Sequence, residues 1–350
     1  MKQYISRLLP LFFLLALLFP SKSYSGPSNP DEPFDPAQMI LSHIYDSHEW
    51  HLWGDVSIPL PIILYHEGEG LKIFSSSKFK HGTVDYKIYR YDNETQKIVC
   101  VGSEGKVDTK ESAKIWDFSI TKNVASLLFS FFVLCFILTS VARTYTRKPN
   151  TPPKGIQAFI EPLIIFVRDD IAKSAIGEQS YKKYLPFLLT IFFFIAFNNL
   201  LGLVPIFPGG ANLTGNIAVA MVMAAIVFII TTLSGTKYYW KHIFAMPGVP
   251  KPVLLILTPI EIIGVILKPF VLMIRLFANI TAGHIIILSF FSLIFIFGDL
   301  MGPAAGYGVS VASVLFVLFM MTLEILVAFL QAYVFTLLSA MYFGMALEQH

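Results

Sequence analysis

Residues 263–279 read Ile-Gly-Val-Ile-Leu-Lys-Pro-Phe-Val-Leu-Met-Ile-Arg-Leu-Phe-Ala-Asn, an apolar run that carries one lysine and one arginine. Glu261, Lys268 and Arg275 lie seven residues apart, and such positions differ by only about 20° around a helix axis. They form one charged stripe. Because a charge at the centre of a membrane helix costs roughly 2.5 to 3.5 kcal/mol, the stripe predicts a functional site that faces protein or water. The alternative, snorkelling to the headgroups, is disfavoured by the long apolar flanks of Arg275.

The composition excludes a soluble globule. Hydrophobic residues make up 55% of the 350 residues and charged residues 14%, and the mean hydropathy is +0.65. This is typical of a polytopic membrane protein. We predict an all-α membrane domain with five membrane-embedded helices, and a small N-terminal periplasmic domain in front of it. The predicted apolar spans are residues 124–141, 184–207, 217–233, 253–297 and 309–347.

The last two spans are too long to cross a membrane upright. At 1.5 Å per residue a straight helix of about 40 residues reaches roughly 60 Å, twice the hydrocarbon thickness. Each span either breaks into two crossings, with Lys268-Pro269 as the break in the first, or lies steeply tilted. No basic loop interrupts either run, which favours two long tilted helices. The glycine-rich turn from Gly298 to Gly308 predicts that they form an antiparallel hairpin.

The first 117 residues differ from the rest. Residues 1–25 have the basic start, short apolar stretch and small-residue site of a signal peptide, and a retained membrane helix is the alternative, for which the apolar stretch is short. Residues 26–117 are polar and acidic at their start and predict a periplasmic domain. Alternation over Val84–Tyr91, followed by Lys97–Cys100, predicts a β-hairpin. The membrane domain then covers residues 118–350.

The distribution of basic residues sets the orientation. Cytoplasmic loops carry an excess of lysine and arginine, which places the loops after the first and third spans inside and the C-terminus in the cytoplasm. Between Pro153 and Gly177, apolar residues recur at helical spacing and predict an amphipathic helix on the inner surface. The basic residues that decide the orientation are Arg143, Arg147, Lys148, Lys154, Lys182, Lys183, Lys237, Lys241 and Lys251.

Three histidines cluster near the start of the N-terminal domain. His43, His48 and His51 lie among carboxylates, and imidazole with carboxylate at helical spacing suits zinc or copper. The interpretation that we favour is a polar face of a surface helix, which needs no ion.

Polar residues of the two long helices match in depth when counted from the turn near Gly302. Arg275 and Gln331 form one such pair, and His284 and Glu324 form another, nearer the turn. Asn279 lies one turn from Arg275. A guanidinium stays charged and cannot relay protons, whereas imidazole and carboxylate can.

Glu261 lies far back on the first helix and provides a second titratable position, apart from His284 and Glu324. Two titratable positions, one toward each surface, with a fixed cation between them predict a proton path that a barrier interrupts. Interhelical hydrogen bonding is the alternative for any single member of the set. A metal site at His284 and Glu324 would need a further ligand.

These residues resemble subunit a of the F-type ATP synthase. The resemblance covers residues 115–350 in one order and spacing. The matching segments are Gly155-Ile-Gln-Ala-Phe-Ile-Glu161, Asn199-Leu-Leu-Gly-Leu-Val-Pro205, Glu261 with Lys268-Pro269, Arg275-Leu-Phe-Ala-Asn279, Ala282-Gly283-His284, and Glu324 with Leu330-Gln331-Ala332.

The resemblance implies that Arg275 is the stator arginine that faces the acidic residue of the rotor ring of c subunits, with Gln331 and Asn279 in support. It implies a cytoplasmic half-channel at Glu261 and a periplasmic one at His284 and Glu324. The peripheral-stalk b subunits, the rest of the complex and the lipid bilayer are the other implied partners. The location would be the bacterial cell inner membrane.

No cofactor, metal or nucleic-acid partner is expected. The chain has no Gly-x-x-x-x-Gly-Lys-Ser motif, so any ATP chemistry belongs to partners and this chain is a non-catalytic subunit. A secondary transporter is the second hypothesis, but internal repeats with broken helices are not found. An intramembrane protease, the third, would need a motif such as His-Glu-x-x-His, which does not occur.

Overall fold

The computed structural model describes residues 34–348, except for 54–55, 81, 93–94, 96, 103–104, 148–151, 205–206 and 247. The predicted signal peptide at residues 1–25 lies outside the described residues. Within the described part, strands dominate up to Asp117 and helices follow from Lys122 onwards. We call residues 34–121 the N-terminal domain.

Short antiparallel strands build the N-terminal domain around a small core. After helix α1 (Pro36–Ile44), β1 pairs with β2, β3 pairs with both β4 and β7, and β5 pairs with β6. The strands are β1 (Glu49–Trp53), β2 (Val56–Pro59), β3 (Pro61–His66), β4 (Gly70–Ser75), β5 (Tyr89–Asp92), β6 (Lys97–Cys100) and β7 (Ile115–Asp117), with a 3₁₀ turn at Ser76–Phe79 and helix α2 at Thr109–Ser112.

The domain contains more β-structure than the one predicted hairpin. That hairpin exists, because Tyr89–Asp92 pairs with Lys97–Cys100, but its first strand begins at Tyr89 and not at Val84. Tyr86 and Tyr89 form an isolated bridge around a turn, with Lys87 in a left-handed conformation at φ 57°. This turn ends the alternation that the sequence shows over residues 84–91.

Five helices of the described chain are long and apolar enough to cross a membrane, as predicted. The second ends at Leu203 and not at Phe207. Val204 precedes Pro205, and a residue before proline is disfavoured in the helical region. The five helices are α3 (Lys122–Arg147), α6 (Tyr181–Leu203), α7 (Ile217–Ser234), α9 (Lys251–Met301) and α10 (Pro303–Leu347).

The long helices α9 and α10 are each continuous, so the broken-helix alternative is wrong. Pro259 and Pro269 lie inside α9 without ending it. The connection is far shorter than the predicted turn from Gly298 to Gly308. It consists of Gly302, whose φ of +88° only glycine adopts easily, and α10 begins at Pro303 because proline suits the first helical position.

The segment predicted as an amphipathic surface helix packs against the helix bundle. It consists of α4 (Ile156–Phe166), a π-helical stretch (Val167–Lys173) and α5 (Ser174–Ile176). Val167 and Ile171 are fully buried in the apolar cluster of α6 and α10, whereas Ile156 and Phe159 are exposed. A further short helix, α8 (Lys237–Phe244), precedes α9.

Candidate functional site

Helix α9 has an inward face and an open face. Leu272, Leu276 and Ile280 recur every four residues and are buried, so they set the face that packs on the bundle. Arg275 and Asn279 lie on the exposed side. The guanidinium of Arg275 makes no hydrogen bond or ion pair within the described part of the chain. The charged side chain of Arg275 therefore lies unpaired on the exposed face of an apolar helix.

Glu324 of α10 is the most isolated buried acid of the described residues. Its residue exposure is 5%, and neither carboxyl oxygen has a hydrogen-bond partner there. The carboxyl group lies against Gly283 of α9, where an added Cβ would be 2.5 Å from Oε1. A buried carboxyl group without a partner is costly, and such groups in membrane helices are functional candidates.

His284 follows Gly283 and faces the end of α6. Its Nε2 lies 3.9 Å from a Cβ atom built on Gly202. The predicted pair of His284 and Glu324 is therefore brought to one level of the bundle, because the neighbouring Gly283 contacts Glu324, but the two side chains are not hydrogen-bonded to each other.

The second predicted pair is not brought into hydrogen-bonding contact. Gln331 is 3% exposed and shares the buried face of α10 with Glu324, whereas Arg275 is on the open face of α9. The two residues are matched in depth by count from the turn, but the side chain of Gln331 is buried and that of Arg275 is exposed.

A buried polar network links α6, α10 and the loop at residues 204–216, of which the structure describes 204 and 207–216. Asn199 donates a hydrogen bond to the carbonyl oxygen of Ala328 at 3.1 Å and accepts one from the Thr214 hydroxyl at 2.6 Å. The Thr281 hydroxyl donates to the carbonyl oxygen of Gly215 at 3.3 Å. Asn199 belongs to one of the segments that carry the family resemblance, but the sequence predicts no role for it or for Thr214. The adjacent asparagines 198 and 199 near the end of an apolar span were the available signal.

Glu261 lies in a different region. It is 23 residues before His284, which corresponds to about 35 Å along a helix. Burial and, to a smaller degree, the negative charge of Glu261 raise the pKa of Tyr239 in α8. Nearby, Lys268 Nζ lies 5.6 Å from the ring centroid of Tyr342. The predicted titratable groups thus occupy two separated levels.

The histidine cluster does not form the predicted surface helix. Helix α1 ends at Ile44, and His48 is 6% exposed, directly before β1, with Nε2 3.2 Å from Asp117 Oδ2. The side chains of His43 and His51 lie outside the described residues. Burial favours a higher pKa for Asp117, but hydrogen bonds from His48 and from the Ser119 hydroxyl and backbone N–H outweigh it and lower that pKa. The described residues contain no group of three or more potential metal ligands.

Five helices long and apolar enough to cross a membrane, with an unpaired arginine on an open face and a buried, unpartnered acid among the described residues, define a polytopic membrane protein. The chain belongs to the ATP synthase A chain family, whose family model matches residues 124–344. The resemblance found in the sequence is thereby confirmed. Residues 39–118 match the family model of a domain of unknown function (DUF8433).

Named relatives agree with this family. The chain is 43% identical over 241 residues to ATP synthase subunit a of Chloroherpeton thalassium, which covers 67% of this chain and 69% of that protein. It is 45% identical over 239 residues to ATP synthase subunit a 2 of Chlorobaculum tepidum, covering 66% and 64%. ATP synthase subunit a of Chlorobium phaeobacteroides is also 45% identical over 239 residues, covering 66% of each chain. The match spans about two thirds of each relative.

Proposed function

We propose that this chain is the proton-conducting stator subunit of an F-type ATP synthase. The observation that carries the proposal is Arg275, an exposed arginine in an apolar helix without a hydrogen bond or ion pair within the described residues. Because an unpaired charge in a membrane is costly, its counter-charge comes from another chain. The acidic residue of a rotor ring of c subunits has the required chemistry. Asn279, one turn away on the same exposed side, supports this ring-facing surface.

Two half-channels at different depths would carry the protons. Glu324 and His284, beside the buried network of Asn199 and Thr214, form the half-channel on the side of the N-terminal domain. Glu261 lines the half-channel on the opposite side. Gln331, buried below Glu324 on the same face of α10, supports the passage toward the ring. The separation of about 35 Å along α9 between Glu261 and His284 is compatible with two offset paths.

Alternate loading would couple the flow to rotation. A proton that arrives through Glu324 and His284 neutralises a carboxylate of the ring, travels round with it through lipid, and leaves through Glu261. The positive charge of Arg275 favours ionisation of each arriving carboxylate in the low-dielectric surroundings and prevents direct leakage. Each charge gains about 2.3 kcal/mol per 100 mV, so several protons are needed for each ATP.

The orientation follows from the charges in the loops. We infer that the chain lies in the bacterial cell inner membrane with its N-terminal domain in the periplasm and its C-terminus in the cytoplasm, by the positive-inside rule. A cleaved signal peptide at residues 1–25 would export the domain. The b subunits of the peripheral stalk and the catalytic subunits, which carry the ATP chemistry, complete the complex.

The test is ATP-driven proton pumping in inverted membrane vesicles that carry Arg275→Ala, with passive proton leak recorded in parallel. Because Arg275 makes no hydrogen bond or ion pair within the described chain, we expect the complex to assemble and pumping to be lost. Arg143→Ala, which removes an exposed arginine at the end of α3, is the matched control and should pump normally.

Unchanged pumping by an assembled Arg275→Ala complex would overturn the stator proposal and favour a secondary transporter. Lost pumping with a raised passive leak would support the role of Arg275 as the barrier between the half-channels.

A further inference from the structure

The N-terminal domain is seated on the loop between α6 and α7, residues 204–216. The indole N–H of Trp50 donates a hydrogen bond to the carbonyl oxygen of Gly209 at 3.2 Å, and the ring meets Phe207 edge-on with centroids 5.1 Å apart. Trp50 is 5% exposed. A tryptophan of β1 is thus buried against a loop that lies 159 residues further along the chain.

Further contacts hold the domain in the same place. The rings of Phe34 and Phe295 lie 5.2 Å apart, and α1 packs against α9. At the start of α3, the backbone N–H of Asn123 donates to the Asp46 carboxylate at 3.0 Å. The domain is therefore fastened to the beginning of α3, the last part of α9 and the 204–216 loop, so its position over the bundle does not depend on Trp50 alone.

The inner side of the same loop belongs to the buried polar network. Thr214 hydrogen-bonds Asn199, and Gly215 accepts from Thr281, which lies two residues before the glycine that contacts Glu324. One loop therefore touches the N-terminal domain on its outer side and the wall of the proposed half-channel on its inner side. Any displacement of the loop would move the polar groups beside Glu324.

The loop is folded tightly where Trp50 binds. A Cβ atom built on Gly209 would lie 2.2 Å from the carbonyl oxygen of Val204 and 2.7 Å from that of Leu201. The backbone of the loop thus passes directly against the end of α6. The hydrogen bond from Trp50 therefore couples the domain to the backbone of the loop where this backbone packs against α6.

We propose that the N-terminal domain is a positioning cap on the half-channel at Glu324 and His284, and that Trp50 is its main positioning residue. By fixing the 204–216 loop, the cap keeps Thr214 and Asn199 in the arrangement through which protons reach Glu324. The inference rests on the proposed function, because it assigns the cap to a half-channel, but it concerns only the rate of proton access and not the coupling at Arg275.

The experiment compares Trp50→Ala, Trp50→Phe and Trp116→Ala in the complete ATP synthase reconstituted in liposomes. Trp116 is the matched control, because it is a tryptophan of the same domain that is 57% exposed and hydrogen-bonds Glu67 within the domain. Proton flux under an imposed gradient is measured together with hydrogen exchange over residues 204–216. Subunit content of the purified complex reports assembly.

For Trp50→Ala we expect the flux to fall at least roughly fivefold, the lower limit of the factor that one hydrogen bond and one aromatic contact together correspond to. Exchange should rise in the 204–216 loop and stay unchanged in α10. Trp50→Phe retains the ring contact and should give an intermediate flux, and Trp116→Ala should match the wild type. A generally destabilised protein would instead show raised exchange throughout and reduced assembly.

Wild-type proton flux in an assembled Trp50→Ala complex would overturn the proposal that the N-terminal domain is a positioning cap. If Trp50→Ala does not assemble, the flux of Trp50→Phe decides, because a wild-type value there contradicts the role of the indole hydrogen bond. Arg275→Ala distinguishes the two proposals. If Arg275→Ala loses pumping while Trp50→Ala has wild-type flux, only the cap proposal is contradicted. If Arg275→Ala pumps normally, the proposed stator function is contradicted.

Discussion

Gly283 of α9 and the carboxyl group of Glu324 in α10 occupy directly adjoining space. A Cβ atom on Gly283 would lie 2.5 Å from Oε1 and 2.9 Å from Cδ of Glu324. The absent side chain of the glycine is what makes room for a buried acid between two packed helices. Since neither carboxyl oxygen has a hydrogen-bond partner among the described residues, the fit of the carboxyl group depends on this space.

Gly283→Ala should therefore displace the Glu324 carboxyl group and impair proton conduction. The close contact is with the flexible end of the Glu324 side chain, so the carboxyl group moves rather than the helices, and we expect flux through the reconstituted complex to fall roughly fivefold, as for about 1 kcal/mol of overpacking. Gly264→Ala is the matched control, because it lies in the same helix with nothing within 4 Å of the added Cβ. Equal flux in both variants would show that the contact with Glu324 is irrelevant to conduction.

Asn199→Leu should weaken the attachment of the 204–216 loop. The substitution removes hydrogen bonds to Ala328 and Thr214, each worth about 1 kcal/mol net, and leaves buried partners unsatisfied. We expect a lower unfolding temperature of the detergent-solubilised chain and reduced proton flux.

The neighbouring Asn198 provides the control for this prediction. It is equally buried but donates only within its own helix, to the carbonyl oxygen of Phe194. Asn198→Leu should therefore have the smaller effect, and the reverse order of the two variants would contradict a role of Asn199 in joining α6 to α10 and the loop.

Asp117 should stabilise the N-terminal domain in a pH-dependent way. Its pKa is lowered because hydrogen bonds from His48 and Ser119 outweigh the effect of burial. A carboxyl group with a lowered folded pKa adds stability above its unfolded pKa of about 4, and this contribution disappears as the pH falls through the folded value.

Asp117→Asn should accordingly lower the unfolding temperature of the domain, followed by tryptophan fluorescence of the full chain, at pH 7. The difference from the wild type should shrink below about pH 4. Glu69→Gln, which removes an exposed ion pair with Lys72, should change little at any pH. A difference for Asp117→Asn that is constant from pH 7 to pH 3 would contradict the prediction.

The membrane helices were predictable because their signal is local. Long apolar runs fix α9 and α10, and the absence of a basic loop indicated that Pro269 does not break α9, as the structure bears out. The turn was predicted too long because glycines normally mark loops. Residues 303–308 are helical all the same, with Pro303 suited to begin α10 and only Gly302 in a conformation that excludes a helix.

The contacts around the buried site were less accessible from the sequence. The hydrogen bond between Trp50 and Gly209 joins residues far apart in the chain, and no periodic pattern in the sequence predicts this contact. Counting from the turn brought His284 to the level of Glu324, but it could not show that Gln331 points inward while Arg275 stays exposed. Depth follows from the helical rise, whereas the facing of each side chain depends on how the bundle packs.

Because Gly302 alone connects the two long helices, the number of residues between it and a side chain fixes the depth of that side chain along the hairpin. With α9 ending at Met301 and α10 beginning at Pro303, no slack separates the helices, and every residue's distance from the turn is set by the count of residues. Arg275 and Glu324 consequently stand about 40 Å and 33 Å from it along their helices. An insertion near Gly302 would shift all residues of one helix along its axis relative to the other helix. The alignment of the site residues therefore depends on the number of residues on each side of the turn.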